Sequence, residues 1–349
     1  MKYLLWLILV IFSIMILDLC VFCSTNRSLS ERVFYAHHYG AITFPVNSYI
    51  HPTPEYNQKV HAGYDTAKNK TIVICALARN IMSSLPLNQT RLELWGQIFK
   101  DYRIVIYEND STDGTREALL QWQSNNSKVY VLPCGLSVDP VQDCKYKEKV
   151  LYDFGFNSQA RMSKMANMRN LYLNYVKTHY AHFDYMMVYD IDISGPMNND
   201  GMMIPFAEEH QWDAICANGI SPIPGLCGMV NSHYDLVAFI DLEDPYDINK
   251  NLNGVDVITG PYIRMLFNKG LNVDRSLYPV KSAFGGATIY KIPSILPKSV
   301  QYNSDYGCEH ISFHKLMADN GAGRIFINPS GVILVGRQGP DILNVILNK

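Results

Sequence analysis

One stretch, residues 71–132, constrains the fold more than any other. Thr71-Ile-Val-Ile-Cys-Ala-Leu-Ala78 is an apolar run of strand length, and its β-branched residues suit a strand buried on both faces. A helical pattern follows (Leu87, Leu92, Leu94, Trp95, Ile98, Phe99), then a second apolar run, Arg103–Tyr107. The turn Glu108-Asn-Asp-Ser-Thr-Asp-Gly114 leads to a short helix from Thr115 to about Gln123, with Thr112 or Asp113 placed to cap it. Lys128–Leu132 is a third strand. Strand–helix–strand–helix–strand alternation predicts an α/β fold with a mostly parallel sheet flanked by helices. Ligands of such sheets gather at the carboxyl ends of the strands. That rule directs attention to Ala78, Arg79 and Asn80 after the first strand and to Glu108–Asp113 after the second.

Further along, Ser158–Thr178 reads as a long helix and Tyr185–Asp192 as a fourth strand. Trp212–Ala217 and Ala287–Tyr290 read as strands, and Arg324–Val335 has β character. Residues 24–70 have several prolines and no sustained periodicity, and read as a stem or irregular wrap before a catalytic domain over 71–349.

The first 23 residues are of another kind. From Tyr3 to Cys23 the chain is almost wholly apolar over 21 residues, with Asp18 its one charged residue, which is enough to cross a hydrocarbon core of roughly 30 Å. A signal anchor and a cleaved signal peptide both account for it, and both carry the rest of the chain out of the cytosol. The expectation is a single-pass type II membrane protein whose domain faces the ER or Golgi lumen. N-x-Ser/Thr sequons at Asn26, Asn69, Asn88, Asn109 and Asn125 are compatible with that compartment, Asn109 being expected to stay bare because it lies in the Glu108–Asp113 turn. Cys134 with Cys144, and Cys216 with Cys227, bracket two loops that disulfides could close. With a formal net charge of −2 the chain lacks the cationic surplus that nucleic-acid binding needs.

Asp190-Ile-Asp192 is the sharpest local signal. Two carboxylates two residues apart on a strand point the same way, and holding them together favours a cation between them. Oxygen ligands suit Mn²⁺ or Mg²⁺ bound together with a substrate diphosphate. Cys308-Glu-His-Ile-Ser-Phe-His314 is a second constellation: on a helix, His310 and His314 would share a face at a spacing that can bind metal. Arg161 and Arg169, eight apart on the long helix, could meet a diphosphate. Gly285-Gly286 permits a tight turn or close approach to a ligand.

A first strand ending in Ala78-Arg-Asn80, a second ending in Tyr107-Glu-Asn-Asp-Ser-Thr-Asp-Gly-Thr115, and a D-x-D closing a later strand together resemble the GT-A class of nucleotide-sugar glycosyltransferases. Over roughly residues 72–313 the chain is also similar to the capsule-associated α-1,3-mannosyltransferase-like family and its eukaryotic and large-virus relatives. That likeness is carried by Arg161, Met168-Arg-Asn170, Trp212–Ala217, Tyr234-Asp235, Val280–Gly286 and Cys308-Glu-His310. The family tends to have an Asn-Asp pair where this chain has Asp190-Ile-Asp192, and an acidic-Cys order where it reads Cys308-Glu309.

The resemblance implies a metal-dependent hexosyltransferase, mannosyltransferase-like, using a UDP- or GDP-sugar and a glycan or glycoprotein hydroxyl. It implies Glu108 on the nucleoside, with Ala78, Arg79, Asp113, Arg169 and Asp190 also on the donor side. It implies Asp190, Asp192 and His310 on the metal, Glu309 as base if the reaction inverts, and Gly285 and Gly286 toward the acceptor. A non-catalytic glycan-binding protein on the same fold is the alternative, and it predicts disabled metal ligands. A nucleotidyltransferase would carry a Gly- and Lys-rich loop after the first strand, whereas Cys75–Asn80 has no glycine.

Overall fold

The computed structural model describes residues 53–134, 159–225, 228–244, 246 and 276–335. The apolar N-terminal run, Asn26, Cys144 and Cys227 lie outside the described residues. Among the described residues no helix is long and apolar enough to cross a membrane.

Helix α1 (Pro54–Ala67) opens the described chain, where the sequence reads as stem. Thr53 caps it, its hydroxyl accepting from the Tyr56 N–H at 3.1 Å, and Pro54 supplies a preset first turn. Its buried stripe is Tyr56, Val60, Gly63 and Ala67. Half of that stripe is Gly and Ala, so no hydrophobic period shows in the sequence. Gly63 is required: a Cβ there would sit 2.0 Å from the Met203 carbonyl oxygen.

The core of the chain is β1 (Thr71–Ala78), α2 (Leu85–Gly96), β2 (Asp101–Glu108), α3 (Thr115–Asn125), β3 (Val129–Pro133), α4 (Gln159–His179) and β4 (Tyr185–Tyr189). Next come α5 (Asn199–Met203), a 3-10 helix (Ile204–Gln211), β5 (Ala214–Gly225), β6 (Gly228–His233) and β7 (Ile240–Asp241). The last described elements are β8 (Tyr278–Ser282), β9 (Ala287–Lys291), α6 (Ile292–Ile295), α7 (Glu309–Asp319) and β10 (Ile325–Leu334).

The strands form one sheet in the order β3-β2-β1-β4-β9-β5-β10-β8-β7, with β6 paired to β5. Strands β3, β2, β1 and β4 are parallel, as the alternation predicts. Beyond β4 the expectation of a mostly parallel sheet needs correction, because β9 runs antiparallel to both β4 and β5, and β8 antiparallel to β10. β6 also runs antiparallel to β5.

Period-two alternation divides the core into two layers. Ile72, Ile74 and Ala76 of β1 face Leu92, Trp95, Leu119 and Trp122 of α2 and α3. Val73 and Cys75 face the other way, toward Tyr172, Leu173 and Val176 of α4 and Phe313 and Met317 of α7. Successive strands leave β1 on opposite sides, β2 on one and β4 on the other. The gap between the carboxyl ends of β1 and β4 is therefore a topological switch point, where open α/β sheets bind ligands.

Cys134 is disulfide-bonded, and its partner lies outside the described residues. Pairing of Cys216 with Cys227 is overturned. Cys216 is a free, buried thiol directed at the Ala283 carbonyl oxygen 3.1 Å away, and burial pushes its pKa up to about 12.

Candidate active site

Strand β4 stops at Tyr189, so Asp190 and Asp192 occupy a turn rather than an extended strand; the Ile193 N–H donates to the Asp190 carbonyl at 3.2 Å. The turn is fixed from below by buried polar groups. Arg91 of α2, 1% exposed, donates to the Gly195 carbonyl at 2.7 Å, the Ile193 carbonyl at 3.2 Å and the Tyr189 hydroxyl at 2.7 Å. Asn88 donates to the same Ile193 carbonyl at 2.9 Å. From the side, the Asp190 N–H donates to the Gly286 carbonyl at 3.0 Å.

Above this turn lies a cleft of ≈ 160 Å³ lined by Leu77, Arg161, Arg169, Asp190, Asp192, Tyr234, Asp235, Phe284, Cys308 and Glu309. It is smaller than a pocket that encloses a whole small molecule and suits the charged part of one. Four carboxyl groups and two guanidiniums line it. The Asp190 carboxyl is pushed up by burial, with Arg169 and the Tyr234 hydrogen bond pulling it down and Glu309 adding to the rise. Burial pushes the Asp235 carboxyl up to about 8, helped by the charges of Asp190 and Glu309. Tyr234 donates its hydroxyl to Asp190 Oδ2 at 3.0 Å, and Asp235 follows it with φ +62°.

Arg169 lies largely within this network. Its Nε donates to Glu309 Oε1 at 3.0 Å and its Nη1 to the Tyr172 hydroxyl at 3.1 Å, while Nη2 stands 3.9 Å from Asp190. Glu309 opens α7, as the sequence suggests, with its second oxygen 3.6 Å from the Cys308 sulfur.

The residues fit a divalent cation in one respect. Asp190 and Asp192 are hard oxygen donors on one short turn, and a cation beside them would offset the crowding that raises the Asp190 and Asp235 carboxyls. Among the described residues no group of three His, Cys, Asp or Glu side chains could hold a metal alone. Mg²⁺-type ions are commonly held by one or two carboxylates plus the substrate's own phosphates. His310 is not among the residues that line the cleft with that pair, although neither of its ring nitrogens has a hydrogen-bond partner among the described residues. Its ring stacks on Phe284 with centroids 4.0 Å apart. Burial, with Arg169 and His314 nearby, holds its pKa well below the usual histidine value. His314 does not pair with it as a metal ligand, since its two ring nitrogens meet the Ser282 and Tyr290 hydroxyls at 2.9 and 3.0 Å.

The donor-side residues form a second group at the ends of β1 and β2. Ala78 is buried and its carbonyl accepts from the Asn109 N–H at 2.9 Å; Arg79 is half-buried beside it. Glu108, expected to meet a nucleoside, is fully buried and turned inward, accepting from the Ser111 N–H at 2.7 Å and from Arg116 Nε. Both its oxygens build the turn. Asp113 does the same work at the head of α3, accepting from the Thr115 N–H at 3.1 Å and the Met82 N–H at 3.0 Å. Burial opposes its charge, but the Thr115 hydroxyl, donating at 2.6 Å, together with those backbone donors holds its pKa below the usual value. Asn80 and Asp110 both have positive φ here, +52° and +54°, a conformation that marks specialised turns. Asn109, noted from sequence only as a sequon, is 4% exposed, and neither atom of its amide has a hydrogen-bond partner among the described residues.

Gly285 and Gly286 have a structural reason that needs no acceptor. At φ +66° a Cβ on Gly285 would lie 2.1 Å from the Ala217 carbonyl oxygen, and Gly286, at φ +85°, would press on Ile193. Tyr234 and Asp235 entered the sequence reading only as part of a family likeness; that likeness was the one signal that could have marked them.

A larger hollow of ≈ 340 Å³ between α1 and the 3-10 helix is lined by Lys59 and Glu208, an ion pair, and holds no carboxylate cluster.

No family model and no curated protein matches the chain. Among solved structures it is similar to S. aureus TarS, with a TM-score of 0.40 at 13% identity, covering 76% of this chain and 60% of that one. It is also similar to the mannosyltransferase PcManGT from Pyrobaculum calidifontis in complex with GDP-Man and Mn²⁺, with a TM-score of 0.42 at 11% identity, covering 80% and 65%. A third, TarS with UDP-GlcNAc, gives 0.42 at 14%, covering 78% and 60%. The chain thus spans less than two thirds of the length of these structures, and likeness at this level does not transfer chemistry.

Proposed function

We propose that the chain is a glycosyltransferase that moves a sugar from a nucleotide-sugar donor to a hydroxyl acceptor with the help of Mn²⁺ or Mg²⁺. The observation that carries this reading is the convergence of Asp190, Asp192, Asp235 and Glu309 with Arg161 and Arg169 at the β1/β4 switch point. Anionic clefts repel free diphosphates, so a ligand with that chemistry enters together with a cation. Asp190 and Asp192 are the residues that would hold the cation, which supplies Lewis-acid neutralisation of charge growing on the leaving diphosphate. Arg161 and Arg169 bring fixed positive charge to the same cleft. Tyr234 and Arg91 fix the orientation of the Asp190 turn, and the loops after β1 and β2 form the wall for the nucleoside.

The donor sugar is a hexose on UDP or GDP, mannose among the candidates, and the acceptor a glycan or glycoprotein. The N-terminal apolar run suggests a type II anchor and a lumenal domain. To test the activity, the purified chain is incubated with a panel of UDP- and GDP-sugars with and without Mn²⁺. Metal-dependent release of one nucleotide supports the reading. A folded protein that binds glycans but turns over no donor in any metal moves the non-catalytic alternative ahead.

A further inference from the structure

The hollow of ≈ 340 Å³ between α1 and the 3-10 helix takes no part in the β1/β4 cleft, yet its volume falls in the range of small-molecule pockets, about 300–1,000 Å³. Two short periods in the sequence build it. On α1, Glu55, Tyr56 and Lys59 stand at i, i+3 and i+4 spacings, and all three line it. On the 3-10 helix, Pro205, Glu208 and Gln211 line it at the spacing of three that such a helix repeats, despite non-helical torsions at Glu208 itself. The floor is β10. Ile325 and Ile327 point into the layer under α4 and α7, and the alternate residues Phe326 and Asn328 face the hollow.

The walls are pinned in place. The Gly63 backbone packs against the Met203 carbonyl, Tyr64 donates its hydroxyl to Asp200 at 2.9 Å, and Trp212 Nε1 donates to the Pro205 carbonyl at 2.8 Å. In the floor Asn328, 1% exposed, donates its amide N–H to the Gly201 carbonyl at 2.8 Å and accepts from the Ser330 N–H at 3.1 Å. A preformed site of this kind loses little ordering entropy when it is filled. The lining also selects a ligand class. Tyr56 and Phe326 supply aromatic surface, and Thr53, Gln211 and Ser276 supply uncharged hydrogen-bonding groups. Lys59 is the only cation among the lining residues, and it is paired with Glu208 at 3.3 Å, so a phosphate has no uncommitted positive charge to meet. A wholly apolar ligand would bury those polar groups without partners. A sugar ring has both surfaces, C–H faces and a rim of hydroxyls.

We propose that this hollow is a second binding site, for the neutral sugar residues of a glycan, on the α1 side of the sheet and apart from the β1/β4 cleft. The aromatic surface takes a C–H face of the ring, and Gln211 and Glu208 meet hydroxyls. The site needs neither nucleotide nor cation, and it stands whether or not the cleft turns over a donor.

The test is saturation-transfer NMR on the full chain, with EDTA and no nucleotide. The probes are mannose, glucose, galactose, N-acetylglucosamine and their disaccharides. At least one neutral sugar should bind, with a Kd of about 0.1–10 mM. Phe326→Ala should weaken that binding at least about tenfold. Gln211→Ala, at an exposed position that leaves the core intact, should weaken it severalfold. Asp190→Asn/Asp192→Asn should bind the sugar like wild type, and in a run without EDTA neither UDP nor GDP with Mn²⁺ should displace it. Three results overturn the proposal. The first is no probe bound at about 50 mM. The second is wild-type binding by both hollow variants in folded form. The third is binding that nucleotide displaces or the aspartate substitutions abolish, which would put the sugar in the cleft.

Discussion

Arg169 Nε donates to Glu309 Oε1 across 3.0 Å, with both side chains 5% exposed. A buried pair of this kind links α4 to α7 beneath the cleft, and removing one partner strands the other charge. Arg169→Met should cost about 3–5 kcal/mol of stability, measured by urea denaturation at neutral pH. Glu309→Gln should cost less. An Arg169→Met protein as stable as wild type would show that the pair does not hold these helices together.

Arg91 supports the Asp190–Asp192 turn and is not among the residues that line the cleft. Arg91→Lys retains a charge but cannot reach the Gly195 and Ile193 carbonyls and the Tyr189 hydroxyl together. It should lower the melting temperature and, in protein still folded, weaken Mn²⁺-supported nucleotide binding severalfold. Unchanged Mn²⁺ affinity in a destabilised variant would confine Arg91 to a structural role.

Gly285 is fixed by sterics. Gly285→Ala forces a Cβ into the Ala217 carbonyl and strains a φ of +66°. Strain alone should cost about 1–3 kcal/mol, with the clash added, and thermal denaturation reads the sum. Full stability would reopen the possibility that the glycine serves a ligand.

Burial holds the His314 pKa at about 3, down from 6.5. Between those values the unfolded chain binds a proton that the folded chain refuses. The stability this histidine contributes is complete above pH 6.5 and is lost as pH falls toward 3, at about 1.4 kcal/mol per pH unit. Denaturation midpoints across pH 7 to 4 should fall less steeply for His314→Gln than for wild type. Equal slopes would mean that the ring is not neutral in the fold.

Burial also sorts the sequons. Asn88 is fully buried and Asn109 is 4% exposed, while Asn69 and Asn125 are exposed. Chain passed through a secretory host should carry N-glycans at Asn69 and Asn125 and none at Asn88 or Asn109, as read by peptide mass spectrometry after deglycosylation.

The parallel half of the sheet was legible because its signals are local: β1 spans Thr71–Ala78 as its apolar run does, and α4 covers Gln159–His179 where a helix was expected over 158–178. The antiparallel half was not, because β9 pairs with β4 across about a hundred positions and with β5 across more than seventy. Cys216 misled for a related reason: its spacing from Cys227 says nothing about the strand that turns its thiol inward. Asp190 and Asp192 were visible as a motif, although their turn was not. Asp235 has no local signature. Its significance comes from meeting residues 190 and 309 in space. Glu108 and Asp113 were visible as turn acids, but which hydrogen bonds consume them is decided only by the folded loops.

The central claim is that the Asp190–Asp192 cleft binds a nucleoside diphosphate through a divalent cation. Calorimetric titration of UDP and GDP into wild type and Asp190→Asn/Asp192→Asn, each with and without Mn²⁺, tests it most directly. One nucleotide should bind wild type at least about tenfold more tightly with Mn²⁺, a gain of about 1.4 kcal/mol, and the gain should vanish in a double variant that melts like wild type. Binding that ignores Mn²⁺, or a gain that survives the double substitution, would contradict the account.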